Sequence, residues 1–360
     1  MEVKLYFMEK WKQILKDSVT TPEELAEHFQ LSAAELRQVN EIFPCRIPRT
    51  MLKKIKTPGD PLFRQCIPDP AELADNGALM NDPLGEIRFK KSEAIVQKYP
   101  DRCLFLVSGE CAMYCRFCTR KRKFRQPFII TQEDIDTGIS YIQEHTELRD
   151  VLISGGDPFL LSDEKIDYIL RGVRQASHVK IIRIGTRTPG VLPERITPQL
   201  VKILKKYQPL YINIHFNHPD ELDKKTCVSL KRLADAGIVL GSQTVLLKGV
   251  NDSPEVMQQL MWKLLENRVR PYYIFQCDLV YGTEHFRTPL AQGIAIMASL
   301  RGWCSGMANP LFVIDLPGGG GKVPLSPNYL KDCQKNILYY QNYCGEEYPY
   351  PDIPEKKPGE

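Results

Sequence analysis

Seven short apolar runs rich in β-branched residues recur between residues 103 and 315, and they constrain the fold more than any other feature. They lie at 103–108 (CLFLVS), 150–154, 179–184, 210–216, 238–247, 270–275 and 311–315. Helix-start signals stand between them: Ser162 ahead of Asp163 and Glu164, Thr197 before Pro198, and Ser253 before Pro254. A small polar N-cap accepts from otherwise unpaired N–H groups, and proline at the first helical position lacks a donor that would have had no partner. Strand runs alternating with helices at roughly 30-residue intervals imply βα units and parallel strands. Their near-continuous apolar character suits a sheet buried on both faces. Six or seven such units either curl into a full or partial barrel or lie flat as a doubly wound sheet, and the runs fit both. In a barrel the chemistry sits after the strand C-termini, so the polar motifs should follow the apolar runs.

The segments flanking this repeat are different. Residues 6–16 and 22–40 have helical apolar spacing, with Thr21-Pro22 as a start signal, while 44–101 hold many Pro and Asp. The expected division is a helical and irregular extension over 1–98, a core over 99–328 and a tail over 329–360, with 345–360 mobile. The 48 basic and 44 acidic residues are too balanced to favour a nucleic acid or a membrane surface as partner. No run of about 18 apolar residues and no secretory h-region is present, so a cytoplasmic protein is expected. Its eleven cysteines then read as thiols and metal ligands, and an odd count pairs incompletely.

Directly after the first strand run comes Cys111-Ala112-Met113-Tyr114-Cys115-Arg116-Phe117-Cys118. Three thiolates on one short loop can hold three irons of a 4Fe–4S cluster and leave the fourth iron open, whereas a zinc site would need a fourth Cys or His nearby. After the second run stands Ser154-Gly155-Gly156-Asp157, where glycine permits close backbone approach and the carboxylate offers an acceptor to an ammonium. After the last run comes Asp315-Leu316-Pro317 and four glycines, ending in Lys322. Val323 stands where a Walker loop needs Ser or Thr, so a phosphate cradle of that type is excluded. A lysine on a glycine-rich loop can instead form a Schiff base with an aldehyde cofactor.

The Cys triplet and the SGGD loop resemble the radical-SAM superfamily. From about Tyr99 to Tyr329 the chain resembles the lysine 2,3-aminomutase family, through YPDR (99–102), CAMYCRFCTRKR, SGGD, RIGTRTP (183–189), HFNHP (215–219), RPYYIFQCD (270–278), EHFRTP (284–289) and PGGGGKVP. The resemblance implies an α/β fold, a radical-SAM partial (β/α)6-type TIM barrel. It implies a 4Fe–4S cluster on Cys111, Cys115 and Cys118, S-adenosyl-L-methionine on the open iron, and pyridoxal 5′-phosphate on Lys322. Ser154, Gly155, Gly156, Asp157, Arg187 and His215 would contact S-adenosylmethionine, and Gln243 and Lys98 the pyridoxal phosphate. Arg120 would take the carboxylate of lysine, with the rest of the basic run 119–125 solvated. Asp278 and Asp315 would grip the ε-ammonium.

The implied activity is migration of the α-amino group of L-lysine to Cβ, an isomerisation with the cofactors supplying the radical chemistry. A flavodoxin or ferredoxin would supply the electron, and homo-oligomerisation is left open. Two alternatives keep the chemistry: a lysine on a protein, as in enzymes acting on elongation factor P, or another free amino acid. The chain departs from the family in two places. The turn Val250-Asn251-Asp252-Ser253 lacks the Cys that longer members use for structural zinc, and the tail offers only Cys333 and Cys344. Phe275 replaces a Tyr common beside the site.

Overall fold

The computed structural model describes residues 9–74, 77–125 and 128–353. Its centre is a nine-stranded sheet: β1 (Ile95–Tyr99), β2 (Arg102–Ser108), β3 (Asp150–Gly155), β4 (Ile181–Thr186), β5 (Leu210–His215), β6 (Val239–Leu246), β7 (Val269–Gln276), β8 (Leu311–Leu316) and β9 (Gly321–Leu325). All seven expected strands form. Strands β2 to β8 run parallel in unbroken sequence order, while β1 and β9 join antiparallel at the edges.

The strand order decides between the two architectures. A doubly wound sheet reverses direction part-way, so that helices cover both faces. Here every right-handed crossover steps the same way, which puts the helices on one face and curls the sheet into a partial barrel. The helices are Gln132–Glu144, Asp163–Gln175, Pro198–Lys205, Lys224–Asp235, Pro254–Glu266 and Leu290–Leu300. Ser162, Thr197 and Ser253 each accept a cap bond from the third helical residue's N–H, as their positions predict. Thr21 makes no such bond, and its expected helix splits into Pro22–Phe29 and Ala33–Ile42 around left-handed Gln30.

The sheet is not apolar on both faces, which corrects one expectation. Val151, Ile153, Ile182, Ile184, Ile212 and Ile214 are buried in the core against Ile139, Ile169, Leu200 and Leu230 of the helices. The alternate positions, Ser154, Gly185, Asn213, His215, Gly241 and Gln243, take the other face. Toward the strand C-termini that face carries small and polar residues, as a binding surface requires. The two edges approach closely enough that the Lys322 N–H donates to Tyr99 Oη at 3.3 Å.

The sheet begins ahead of the expected 98/99 boundary. The edge strand β1 buries Ile95 and Val96 but carries Gln97 and Lys98, so its short pattern reads as irregular. The N-terminal extension has its own core, with Trp11, Leu25, Val39, Ile47, Met51 and Leu62 buried. Most of these pack with Ala112 and Met113 of the cysteine loop. The tail forms an antiparallel sheet of Leu330–Gln334, Ile337–Gln341 and Glu347–Pro351, so the stretch expected to be mobile from 345 is a paired strand as far as 351. Residues 354–360 lie outside the described ones. Among the described residues no helix is long and apolar enough to cross a membrane.

Candidate active site

The motifs fall after the strand C-termini, as barrel logic predicts. Cys111, Cys115 and Cys118 follow β2 and are half-buried. Burial pushes the Cys118 thiol up to about 11, with Cys115 adding to the shift; burial and then Asp157 raise Cys111, and both neighbouring thiols add to it. The Arg120 backbone N–H lowers Cys118 in opposition, and Arg187 Nη1 donates to Cys115 Sγ at 2.8 Å. Thiols packed this closely, with N–H donors aimed at sulfur and Phe117 buried beside them, suit thiolate ligation of a cluster. Among the described residues no three ligating side chains converge on one metal ion. A cluster asks each thiolate for a separate iron instead.

The Gly155-Gly156 loop closes on the cysteine loop by backbone contact. Gly156 N–H donates to Ser108 O at 2.5 Å and Asp157 N–H to Glu110 O at 2.6 Å. A Cβ on Gly155 would lie 2.2 Å from Ser108 O, and one on Gly156 2.2 Å from Glu110 O. Only glycine permits that approach, and Gly155 has φ +132° as well.

Asp157 does not present a free carboxylate, and this corrects its expected role. Thr186 Oγ1 donates to it at 2.7 Å and the N–H groups of Arg187, Thr188 and Phe159 at 2.8, 3.0 and 3.1 Å. It ties the β3 loop to the β4 loop and is buried. Arg120 is also engaged: Nε and Nη2 donate to Glu86 at 2.7 and 2.6 Å and Nη1 to Gly155 O at 3.1 Å.

The rest of the basic run is not uniformly solvated, as Lys121 shows. Lys121 is fully buried, 2.6 Å from Glu72, which also pairs with buried Arg116 at 2.6 Å. Burial opposes ionisation of Glu72, but Arg116 and then Lys121 hold its carboxyl below the usual range. Arg116 also donates to Phe43 O and Pro44 O, and Lys121 to Gly282 O. The extension therefore clamps the cysteine loop through charge as well as apolar packing, which the sequence did not disclose.

Arg187 belongs to a second buried network. Its Nη2 donates to Gln65 Oε1 at 2.6 Å and Glu221 Oε2 at 3.2 Å, and Asn217 Nδ2 donates to Gln65 Oε1 at 3.0 Å. His215 Nε2 lies 3.0 Å from Asn217 Oδ1, and that oxygen also accepts from Val245 N–H. The imidazole thus donates through Nε2 and keeps Nδ1 as an acceptor. Burial, then the Arg187 charge, lowers its pKa to about 4, so it is neutral near pH 7. Gln243 lies in register between His215 and Tyr273.

A third group gathers where β8 and β9 meet. The glycine turn places Lys322 opposite Asp315, with Nζ 3.1 Å from Oδ2 and 5.4 Å from the Phe275 ring centre. Asp278, just past β7, is pushed up to about 7, first by burial and then by Asp315, against Lys322 and Lys98. Lys322 and Asp315 are thus in contact, and Asp278 lies near enough to feel the charges of Asp315, Lys322 and Lys98. Two close carboxylates in a buried setting favour a cation between them.

Comparison with known proteins bears on the family of the chain. Residues 105–260 match the radical SAM superfamily, and 297–359 match the family described as lysine-2,3-aminomutase. An L-lysine 2,3-aminomutase of Clostridium subterminale is 44% identical over 355 residues, covering 97% of this chain and 85% of that protein. One from Methanococcus maripaludis is 47% identical over 315 residues, covering 86% and 73%. A glutamate 2,3-aminomutase of Clostridioides difficile is 40% identical over 355 residues, covering 96% and 82%.

Proposed function

This chain belongs to the lysine 2,3-aminomutase family of the radical SAM superfamily, and from that premise we propose which of its residues serve the reaction. The enzyme is an isomerase that converts L-lysine to β-lysine: the amino group moves from Cα to Cβ and one hydrogen moves from Cβ to Cα. Nothing is gained or lost overall. Bound in the mouth of the barrel, the cluster and S-adenosylmethionine supply a carbon radical, and pyridoxal phosphate supplies the π system through which nitrogen migrates.

In this reading Cys111, Cys115 and Cys118 hold three irons. Gly155 and Gly156 let the backbone approach S-adenosylmethionine, with Ser154 beside them. Asp157 acts by fixing that loop to Arg187. His215 offers Nδ1 as an acceptor in the same region. Lys322 carries pyridoxal phosphate, with Gln243 and Lys98 toward its phosphate. Arg120 takes the substrate carboxylate, and Asp278 with Asp315 takes the ε-ammonium. A reduced flavodoxin or ferredoxin supplies the electron, in the cytoplasm.

One observation carries the choice of lysine: two carboxylates, Asp278 and Asp315, adjoin the amine of Lys322. A side chain ending in an ammonium gains charge-assisted hydrogen bonds there, whereas glutamate would meet like charge in a buried site. The test is anaerobic assay of the reconstituted enzyme with L-lysine, L-arginine, L-glutamate and a lysine-bearing protein, with products identified by mass spectrometry. β-Lysine from free lysine is the expected product. Turnover of the protein substrate or of glutamate alone would overturn the reading.

A further inference from the structure

Glu86 is a buried carboxylate that belongs to none of the motifs. It is 7% exposed and bridges two arginines, Arg120 and Arg122, the latter through Nη2 at 2.8 Å. Burial opposes its ionisation, but Arg120 and Arg122 hold its carboxyl down at about 2. The segment around it is anchored. Asp82 accepts from the N–H groups of Glu86 and Ile87 at 3.1 and 2.9 Å and pairs with Arg122 at 3.3 Å. Gly318 N–H donates to Pro83 O at 3.0 Å, so the same segment rests on the turn that leads to Lys322.

A guanidinium has five N–H donors. In Arg120, Nε and one Nη2 hydrogen go to Glu86 and one Nη1 hydrogen to Gly155 O. One hydrogen on each terminal nitrogen is left, the number a carboxylate accepts in bidentate fashion. We propose that Glu86 is a positioning residue for the substrate: it fixes the guanidinium of Arg120 so that the two remaining donors meet the α-carboxylate of lysine. Because Glu86 is buried and doubly paired, it orients Arg120 and does not compete for it. The proposal rests on the reading that Arg120 receives this carboxylate.

The test compares two ligands on reconstituted holoenzyme under anaerobic conditions. L-Lysine carries the carboxylate, and 1,5-diaminopentane has both amines without it. Dissociation constants are read from the visible absorbance of the pyridoxal phosphate, with iron content measured alongside. In Glu86→Gln, L-lysine should bind roughly tenfold more weakly, while 1,5-diaminopentane should change by less than about twofold. Glu86→Asp, which keeps the charge but shortens its reach, should fall between, and it carries the same comparison if the amide variant does not fold. Equal weakening of both ligands would reduce Glu86 to a structural residue, and unchanged or tighter L-lysine binding would also overturn the proposal. Arg120→Lys separates the two claims. If it discriminates between the ligands and the Glu86 variants do not, only the role of Glu86 falls. If it too leaves L-lysine binding unchanged, the reading of Arg120 falls.

Discussion

Asp315 and Lys322 are directly opposed across β8 and β9, and their side chains meet with Nζ 3.1 Å from Oδ2. The glycine turn between them fixes this opposition, because Gly318, Gly319 and Gly321 all have positive φ. The pairing gives each residue two uses. In the proposed reading, pyridoxal phosphate on Lys322 would free Asp315 from that pair and leave its carboxylate to a substrate ammonium.

Lys322→Ala should therefore lose the visible absorbance of bound pyridoxal phosphate while keeping its iron. Asp315→Asn should keep both and raise KM for L-lysine, since losing a charged partner costs about 1.5–3 kcal/mol, roughly ten- to a hundredfold. Absorbance spectra, iron content and steady-state kinetics check these outcomes. An unchanged KM in Asp315→Asn would remove that residue from the substrate site.

Asp278 makes the pocket sensitive to pH. Its carboxyl is pushed up to about 7, so acidification leaves it neutral and unable to pair with an ammonium. kcat/KM for L-lysine should rise as pH climbs through about 7, and Asp278→Asn should abolish that limb. Stability has the opposite sign. Between the ordinary carboxyl value of 3.8 and about 7 the folded chain holds a proton that the unfolded chain releases, so this group's contribution falls as pH rises. In thermal melts, the Tm advantage of Asp278→Asn over wild type should grow across that window and stay constant above it. A difference that does not vary with pH would show that Asp278 titrates normally.

The fold was legible because its code is local. Strand runs, caps and the Cys and Gly spacings each lie within a few residues, and all seven parallel strands could be found that way. What stayed hidden was long-range pairing. Nothing near Glu72 marks it as the partner of Arg116 and Lys121, and nothing near Glu86 points to Arg120. An acid after two glycines likewise reads as an exposed acceptor, and only the folded chain brings four donors to Asp157. The tail strands escaped notice because they bury almost nothing, so no periodic apolar pattern reveals them.

The Gly155-Gly156 contact predicts a sharp steric effect. Gly156→Ala would put a methyl 2.2 Å from Glu110 O, and backbone cannot yield as a side chain end would. The SGGD loop must then withdraw from the cysteine loop. A shift of about 1 Å at a positioning element can cost on the order of 10²-fold in rate. Reductive cleavage of S-adenosylmethionine should fall by that order with iron content retained. Wild-type cleavage in Gly156→Ala would place S-adenosylmethionine elsewhere.

Glu72 tests whether the N-terminal extension serves the cluster. It neutralises one of two buried cations, Arg116 within the cysteine loop and Lys121 just after it. Removing one member of a buried ion pair leaves an uncompensated charge and costs about 3–5 kcal/mol, whereas removing both members in favour of apolar groups is often neutral. Glu72→Gln should therefore lower the denaturation midpoint and reduce iron retained after reconstitution. Adding Lys121→Met should restore much of both, because the remaining Arg116 still donates to Phe43 O and Pro44 O. Iron retention that stays at wild-type level in Glu72→Gln, despite lost stability, would separate the extension from the cluster and leave it a role in folding alone.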